Sequence, residues 1–258
     1  MVLGVMGATL GPRPPPVKPA LRCILRAAMP ASASTLPERL AGVRAELDAA
    51  ARRAGRTAGA VRLVVVTKSA PPGVFALLAA AGAGDVGESR VQAGQARRAG
   101  REAAFCWHLV GHLQSNKARA AVQAFDVLHG LDSPELLERV DRAAGELSRA
   151  PGVFLQVNVS GEPSKHGLPP AALPAALEAG RALRHARLLG LMTMAPEGGD
   201  PRPVFAGLRR LRDELAPELQ ELSMGMSDDF AVAVEEGATC VRVGRRLVAD
   251  LPELRGVG

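Results

Sequence analysis

The chain has 258 residues, of which 47% are hydrophobic, 22% charged and 3% aromatic, a composition typical of one large or two small globular domains. Its three cysteines (Cys23, Cys106 and Cys240) cannot all pair and form no Cys-x-x-Cys motif. This excludes a disulfide framework and favours the cytoplasm as the location. No apolar run approaches the length needed to span a bilayer, so we expect no membrane association.

The net charge of +6 and the isoelectric point near 10 raise the question of nucleic-acid binding. Residues 1–30 carry four basic residues and no acidic one, namely Arg13, Lys18, Arg22 and Arg26. The remaining chain is almost balanced and lacks the dense basic face that binding to a phosphate backbone requires. We therefore predict no nucleic-acid partner, and binding through the basic N-terminal arm stays a remote alternative.

The first 30 residues show no hydrophobic period and contain three consecutive prolines. They are interpreted as a disordered extension or as a start assigned upstream of Met29, with a transit-like arm as a further alternative, and residues 31–258 as one domain. From Pro37 to Arg53 apolar residues recur every three or four positions, which predicts an amphipathic helix.

After this helix, short apolar runs alternate with Ala/Leu/Arg-rich segments. The segments Pro134–Ser148 and Pro169–Leu183 are typical of helices. The predicted strands are Arg62–Thr67, Asp85–Gly87, Trp107–Val110, Val127–Leu131, Val153–Val159, Leu188–Met194, Glu221–Met224 and Cys240–Val243. Alternating strands and helices indicate a parallel sheet. Eight units in this length favour an α/β fold of the (β/α)8 TIM-barrel type over an open doubly wound sheet.

Catalytic and binding residues of such barrels lie at the C-terminal ends of the strands. Lys68 ends a valine-rich strand, where we expect a desolvated stem and a pKa lowered by burial, so that its amine is a nucleophile toward an aldehyde. The alternatives are a lysine reaching solvent at the barrel rim, or one paired with Glu88.

The segment Ser223–Asp229 contains a glycine that allows close backbone approach, the hydroxyl of Ser227, and two aspartates interpreted as caps of the next helix. It ends the seventh strand, and Gly244 ends the eighth beside Arg242. Loops after these two strands often form a phosphate site, although an ordinary turn with a helix cap fits the same residues. A lysine opposite a phosphate site indicates pyridoxal 5'-phosphate as the cofactor.

Several strings carry a family resemblance that runs from about Leu40 to Gly244. They are VVVTKSAPP (64–72), GESRVQ (87–92), WHLVGHLQSNK (107–117), LQVNVSGEPSKHG (155–167), GLMTMAP (190–196) and SMGMSDDFAVAVEEGATCVRVG (223–244). These strings closely resemble the YggS/PROSC family of pyridoxal phosphate homeostasis proteins.

The resemblance implies a single barrel like the N-terminal domain of alanine racemase, which holds pyridoxal phosphate generally without catalytic turnover. It implies that Lys68 is the Schiff-base lysine. Ser227, with the backbone of Met226 and Gly244, would hold the phosphate, and Arg242 would lie near the ring or the phosphate. We expect a monomer that stores, buffers or delivers the cofactor, with apo forms of pyridoxal phosphate enzymes as partners.

Three positions depart from the family pattern. Ser89 stands where the family usually has Asn, and Ala93 where it commonly has Glu. Arg245-Arg246 replaces Thr-Ala after the last strand. Arg245 then either meets the phosphate as a charged donor or turns to solvent.

The other candidate sites have weaker sequence support. The Gly-x-Gly-x-x-Gly match at 82–87 follows a helix and leads into a strand, the reverse of a dinucleotide site. His108 and His112 have no third ligand nearby in sequence, so no metal is predicted. Glu162, Lys165 and His166 form either a solvated loop or a second amine site.

An amino-acid racemase is the alternative function. Racemases of related fold use a tyrosine on one face of the cofactor and carry a second, all-β domain. The sequence contains no tyrosine, and a single lysine supplies a base on one face only.

Overall fold

The computed structural model describes residues 34–101, 103–163 and 165–254, and within these ranges eight parallel strands close into a barrel. The strands are β1 Arg62–Val66, β2 Asp85–Glu88, β3 Cys106–Leu109, β4 Val127–Leu131, β5 Gly152–Gln156, β6 Arg187–Met192, β7 Glu221–Ser223 and β8 Cys240–Val243. They are paired in sequence order, and β8 pairs with β1 from Arg62↔Cys240 to Val65↔Val243. The predicted barrel and all eight predicted strands are confirmed.

Helices follow the strands and cover the outside of the barrel. They are α1 Leu36–Arg53, α2 Val74–Ala80, α3 Val91–Arg98, α4 Ala118–Ala124, α5 Pro134–Glu146, α6 Leu173–Arg181, α7 Arg202–Leu215, α8 Phe230–Glu235 and α9 Arg245–Val248. Short 3-10 turns lie at Ser115–Lys117, Pro170–Ala172 and Pro252–Leu254. The helix predicted over 169–183 is therefore a 3-10 turn continued by α6.

The sequence of α5 shows why these helices form where they do. Ser133 accepts a hydrogen bond from the amide of Leu136 at 3.1 Å, and Pro134 occupies the first turn. A serine cap and a proline at this position both favour helix initiation. Leu137 and Val140 are among the residues that line the buried face of the helix, so the amphipathic pattern places it against the strands.

Two apolar regions stabilise the fold. The larger lies between the strands and the surrounding helices, and the smaller lies inside the barrel around Val127, Phe154 and Met192. Successive residues of a strand point to opposite faces, so each strand supplies both regions. The barrel interior also contains buried polar side chains, which are described below.

The first helix and the last described turn close the helical layer. The amide of Leu36 donates to Glu253 Oε1 at 2.7 Å, and Arg39 donates to the carbonyl of Ala249.

Among the residues described, none of the helices is both long and apolar enough to cross a membrane. The extension at residues 1–30 lies outside the described ranges, and the domain boundary at residue 31 stays a prediction.

Candidate functional site

Lys68 lies in the turn that follows β1. The strand ends at Val66, Thr67 is buried, and Lys68 is exposed. Within the described ranges its amine forms no hydrogen bond and no ion pair. The expected burial of the lysine stem is therefore wrong, because the buried run of β1 ends at Thr67 and the chain turns outward at Lys68 and Ser69 before Ala70 is buried again.

Arg97 on α3 holds this turn against the end of β2. Its Nη2 donates to the carbonyl of Ala70 at 2.9 Å, and its Nη1 donates to Glu88 Oε1 at 3.1 Å. The hydroxyl of Thr67 donates to the same carboxylate oxygen. Both sides of the turn are thus fixed to one side chain, which positions the backbone that carries Lys68.

Glu88 is a buried carboxylate in this arrangement. Burial raises its pKa, and the hydrogen bond from Thr67 and the charge of Arg97 oppose that rise only in part. Its Oε2 has no hydrogen-bond partner among the described residues. The alternative in which Lys68 pairs with Glu88 is wrong, since Arg97 occupies that role. The sequence analysis missed Arg97, although an acidic residue ending a buried strand signals that a cation lies nearby.

The turn after β7 depends on Gly225, whose φ of +95° is a conformation that other residues rarely adopt. A Cβ at this position would lie 2.9 Å from Phe230 Cα. The amide of Met226 donates to Asp229 Oδ1 at 2.6 Å. The Met226 amide is thus already paired, and its assignment to the phosphate stays a prediction. The interpretation of Asp229 as a cap of α8 through its carboxylate is wrong, since that carboxylate bonds to Met226.

Ser227 and Gly244 lie at the ends of neighbouring strands and have free donors. Ser227 is 6% exposed, and within the described ranges neither its hydroxyl nor its amide is hydrogen-bonded. The amide of Gly244 is likewise unpaired among the described residues. A Cβ on Gly244 would lie 3.1 Å from the carbonyl oxygen of Val66. Gly244 therefore lies beside the end of β1, and Ser227 lies in the turn after the neighbouring strand β7.

Arg245 and Ser89, two of the positions that depart from the family pattern, lie at the same end of the barrel. Arg245 forms an ion pair with Asp228, and the two side chains are 76% and 74% exposed. Arg245 thus faces solvent and the adjoining loop. Ser89 follows β2 and is half-buried, and its carbonyl oxygen would lie 2.2 Å from a Cβ on Gly111.

Arg242 lies on β8, two residues before Gly244, and its side chain points into the barrel. It is 4% exposed, and it donates from Nη1 to Ser223 Oγ and from Nη2 to the carbonyl of Thr193 at 3.0 Å. Within the described ranges no carboxylate forms a hydrogen bond or ion pair with it, and burial lowers its pKa. A buried guanidinium with unused N–H groups and no carboxylate bonded to it within the described ranges favours a ligand that accepts hydrogen bonds.

The two histidines considered as metal ligands lie in different environments. His108 is buried inside the barrel, whereas His112 lies at the rim with Asp132 at 3.3 Å. His166 stacks on His112 with ring centroids 4.1 Å apart and planes at 9°. Parallel planes keep the nitrogens of the two rings from pointing at one ion, so the rings must turn before both can bind it. Lys165 lies beside His166, and its carbonyl accepts from Asn158.

Comparison with known proteins decides the family. The family described as "Alanine racemase, N-terminal domain" matches residues 40–252. The pyridoxal phosphate homeostasis protein of Aquifex aeolicus is 38% identical over 221 residues, which cover 83% of this chain and 97% of that protein. The chain belongs to the pyridoxal phosphate homeostasis protein family.

Two further relatives support the match. The homeostasis protein of Pseudomonas aeruginosa is 39% identical over 218 residues, covering 83% of this chain and 95% of the relative. The structure of PipY from Synechococcus elongatus PCC7942, with pyridoxal phosphate bound, has a TM-score of 0.74 at 40% identity. The match covers 83% of this chain and all of PipY. The recognition made from the sequence strings is confirmed.

The residues at the C-terminal end of this homeostasis-family barrel fit such a cofactor chemically. Pyridoxal phosphate carries an aldehyde, a ring with acceptor atoms and a phosphate. Lys68 offers a free amine, Ser227 and Gly244 offer unpaired donors, and Arg242 offers a buried guanidinium without a carboxylate partner in the described ranges. The absence of a side chain at Gly244 leaves the backbone accessible to a bulky anion.

Proposed function

We propose that this chain binds pyridoxal 5'-phosphate through Lys68 and acts in the intracellular homeostasis of that cofactor, by storing, buffering or delivering it. The observation that carries the proposal is the free amine of Lys68 at the end of β1, beside unpaired donors after β7 and β8. The cofactor-bound structure of PipY, a relative of 40% identity, supports it.

Each group has a distinct role in this proposal. The bound cofactor supplies an aldehyde that condenses with a primary amine and releases water. Lys68 provides that amine. The hydrogen bonds from Arg97 to Glu88 and to the carbonyl of Ala70 hold the turn that carries Lys68 in place. Ser227 and the amide of Gly244 donate to the phosphate.

Arg242 and Arg245 have different roles in binding the cofactor under this proposal. Arg242 donates to an acceptor atom of the cofactor from inside the barrel. Arg245 contributes only long-range charge, because its guanidinium pairs with Asp228 and is exposed.

We further propose that the protein holds the cofactor without turning over an amino acid. A racemase exchanges protons on both faces of the substrate carbon and needs a base on each face. The sequence has no tyrosine to serve as the second base. In this proposal the chain is a cytoplasmic monomer, and its partners are apo enzymes that require the cofactor. Release of product from D- or L-amino acids by a protein with normal cofactor absorption would instead identify an enzyme.

The test is the covalent attachment site. The purified protein is loaded with pyridoxal phosphate, its violet absorption band is recorded, and the adduct is reduced with borohydride and mapped by peptide mass spectrometry. We expect Lys68→Ala to abolish the band and the adduct, because the amine that condenses with the aldehyde is gone.

The variants Lys117→Ala and Lys165→Ala serve as matched controls, since Lys117 ends the 3-10 turn after β3 and Lys165 lies in the loop after β5, at the same end of the barrel. Both are expected to retain the band and the adduct. An adduct that maps to either of them in the wild-type protein would overturn the assignment of Lys68.

A further inference from the structure

A continuous line of hydrogen-bonded side chains crosses the interior of the barrel. Arg242 donates to Ser223 Oγ, and Ser223 Oγ lies 2.8 Å from His129 Nδ1. His129 Nε2 lies 2.9 Å from His108 Nδ1, and His108 Nε2 lies 2.9 Å from Asp85 Oδ1. The four residues other than Asp85 are almost fully buried. The line therefore connects the first residue of β2, at the N-terminal end of the barrel, with the arginine below the candidate cofactor site.

When each histidine ring carries one proton, the chemistry of the two ends fixes the direction of every bond between them. The carboxylate of Asp85 only accepts, so His108 Nε2 carries a proton. With one proton on each ring, His108 Nδ1 accepts from His129 Nε2, and His129 Nδ1 accepts from the hydroxyl of Ser223. The lone pairs of Ser223 Oγ then remain for Arg242, which only donates. Each donor meets an acceptor along the whole line.

The environment of His129 supports this order. Burial lowers its pKa far below the usual range, and the charges of Arg242 and Arg62 act in the same direction. Its ring stacks on Phe154 with centroids 4.6 Å apart. His129 therefore stays neutral, so that one of its ring nitrogens donates to His108 and the other accepts from Ser223. The line has a carboxylate at one end and a guanidinium at the other.

We propose that Asp85 is a positioning residue for the cofactor site, and that it acts through His108, His129 and Ser223 to hold the guanidinium of Arg242 in one orientation. The remaining N–H groups of Arg242 are then presented toward the C-terminal end of the barrel as fixed donors. The identity of the ligand rests on the proposed function, whereas the hydrogen-bond order is a property of the cofactor-free protein.

The first test uses the cofactor-free protein and nuclear magnetic resonance. Long-range proton–nitrogen correlation of the histidine rings reports which nitrogen is protonated. We expect both His108 and His129 to carry their proton on Nε2 at neutral pH. A proton on Nδ1 of His129 would reverse the line and overturn the proposal.

A second spectrum, which correlates the guanidinium protons with their nitrogens, shows whether the guanidinium of Arg242 is held in one orientation. We expect separate Nη signals for Arg242 in the wild-type protein and averaged signals in Asp85→Ala, because that variant leaves His108 Nε2 without an acceptor. Asp85→Asn keeps an acceptor oxygen and is expected to restore the separate signals. If Asp85→Ala leaves them unchanged, Asp85 does not position Arg242.

The second test measures pyridoxal phosphate affinity. Asp85→Ala is expected to weaken binding about fivefold or more, the lower range of coupling between separated sites. The matched control is Glu221→Ala, a carboxylate at the start of β7 that is outside the line. The exposed fractions of the Asp85 and Glu221 side chains are 26% and 27%. In the Arg242→Lys background the effect of Asp85→Ala should disappear, since Arg242 transmits it.

The outcomes separate the two proposals. Equal losses in Asp85→Ala and Glu221→Ala, or a loss that persists with Arg242→Lys, would refute a role for Asp85 through Arg242. A wild-type protein that does not bind pyridoxal phosphate would refute the proposed function, and the resonance experiment would still decide whether Asp85 positions Arg242.

Discussion

Replacing Ser227 with alanine separates recognition of the phosphate from maintenance of the fold. Ser227 is 6% exposed, and its hydroxyl is unpaired within the described ranges. The substitution removes one oxygen and no hydrogen bond of the described protein. Any loss of pyridoxal phosphate affinity therefore comes from a bond that forms only with the ligand.

The expected size follows from the type of bond. A hydroxyl that donates to a phosphate oxygen is a hydrogen bond to a charged group, worth about 1.5–3 kcal/mol. This corresponds to roughly a 10–100-fold increase in Kd. Pyridoxal lacks the phosphate and uses none of this energy. We expect its affinity to change by no more than about twofold, the range of substitutions that remove no contact.

The assay is titration of the cofactor absorption band with pyridoxal phosphate and, separately, with pyridoxal. Ser133→Ala is the matched control, because Ser133 caps α5 and accepts from the amide of Leu136 at 3.1 Å. That variant should lose about 1 kcal/mol of stability and keep both affinities. Equal losses of affinity for the two ligands in Ser227→Ala would refute the reasoning and assign Ser227 a role in shaping the loop.

Two further predictions concern charged residues near the site. Arg245→Thr should leave the salt dependence of cofactor affinity unchanged, because Arg245 pairs with Asp228 and is exposed; a flatter salt dependence would show that Arg245 contacts the phosphate. Glu88→Gln tests the buried carboxylate. Its raised pKa means that the folded protein takes up this proton more readily than the unfolded chain, so wild-type stability should fall relative to the variant as pH rises above 4.5, the ordinary pKa of a glutamate. Urea unfolding of both proteins across that range measures the difference, and a constant difference would contradict the raised pKa.

The fold was predictable because its signals are local. The apolar run of β1 and the alternation of strands with Ala/Leu-rich helices each appear within a few residues. Even the short strand β2 followed from its place in that alternation. The position of Lys68 after β1 was predictable in the same way.

The details of the site depend on residues that are distant in sequence. Lys68 is exposed because Thr67 ends the buried segment and Arg97, on the next helix but one, closes the turn. The sequence Ser-Asp-Asp before a helix looks like a cap, whereas Asp229 turns back to the amide of Met226. The bond between His108 and His129 requires the register of β3 against β4, which no local pattern contains.

Closure of β8 on β1 has a consequence for how the protein is made. The candidate cofactor groups come from Lys68 near the start of the barrel and from Ser227 and Gly244 near its end. During synthesis β1 leaves the ribosome long before β8, the strand that pairs with its other edge. The contact between β1 and β8 therefore joins residues from the two ends of the barrel sequence. Contacts of such long sequence separation form late in folding. Under the proposed function, a chain that has not yet paired β8 with β1 has the lysine without the complete set of donors for the phosphate, and only the finished barrel gains stability from the bound ligand by mass action.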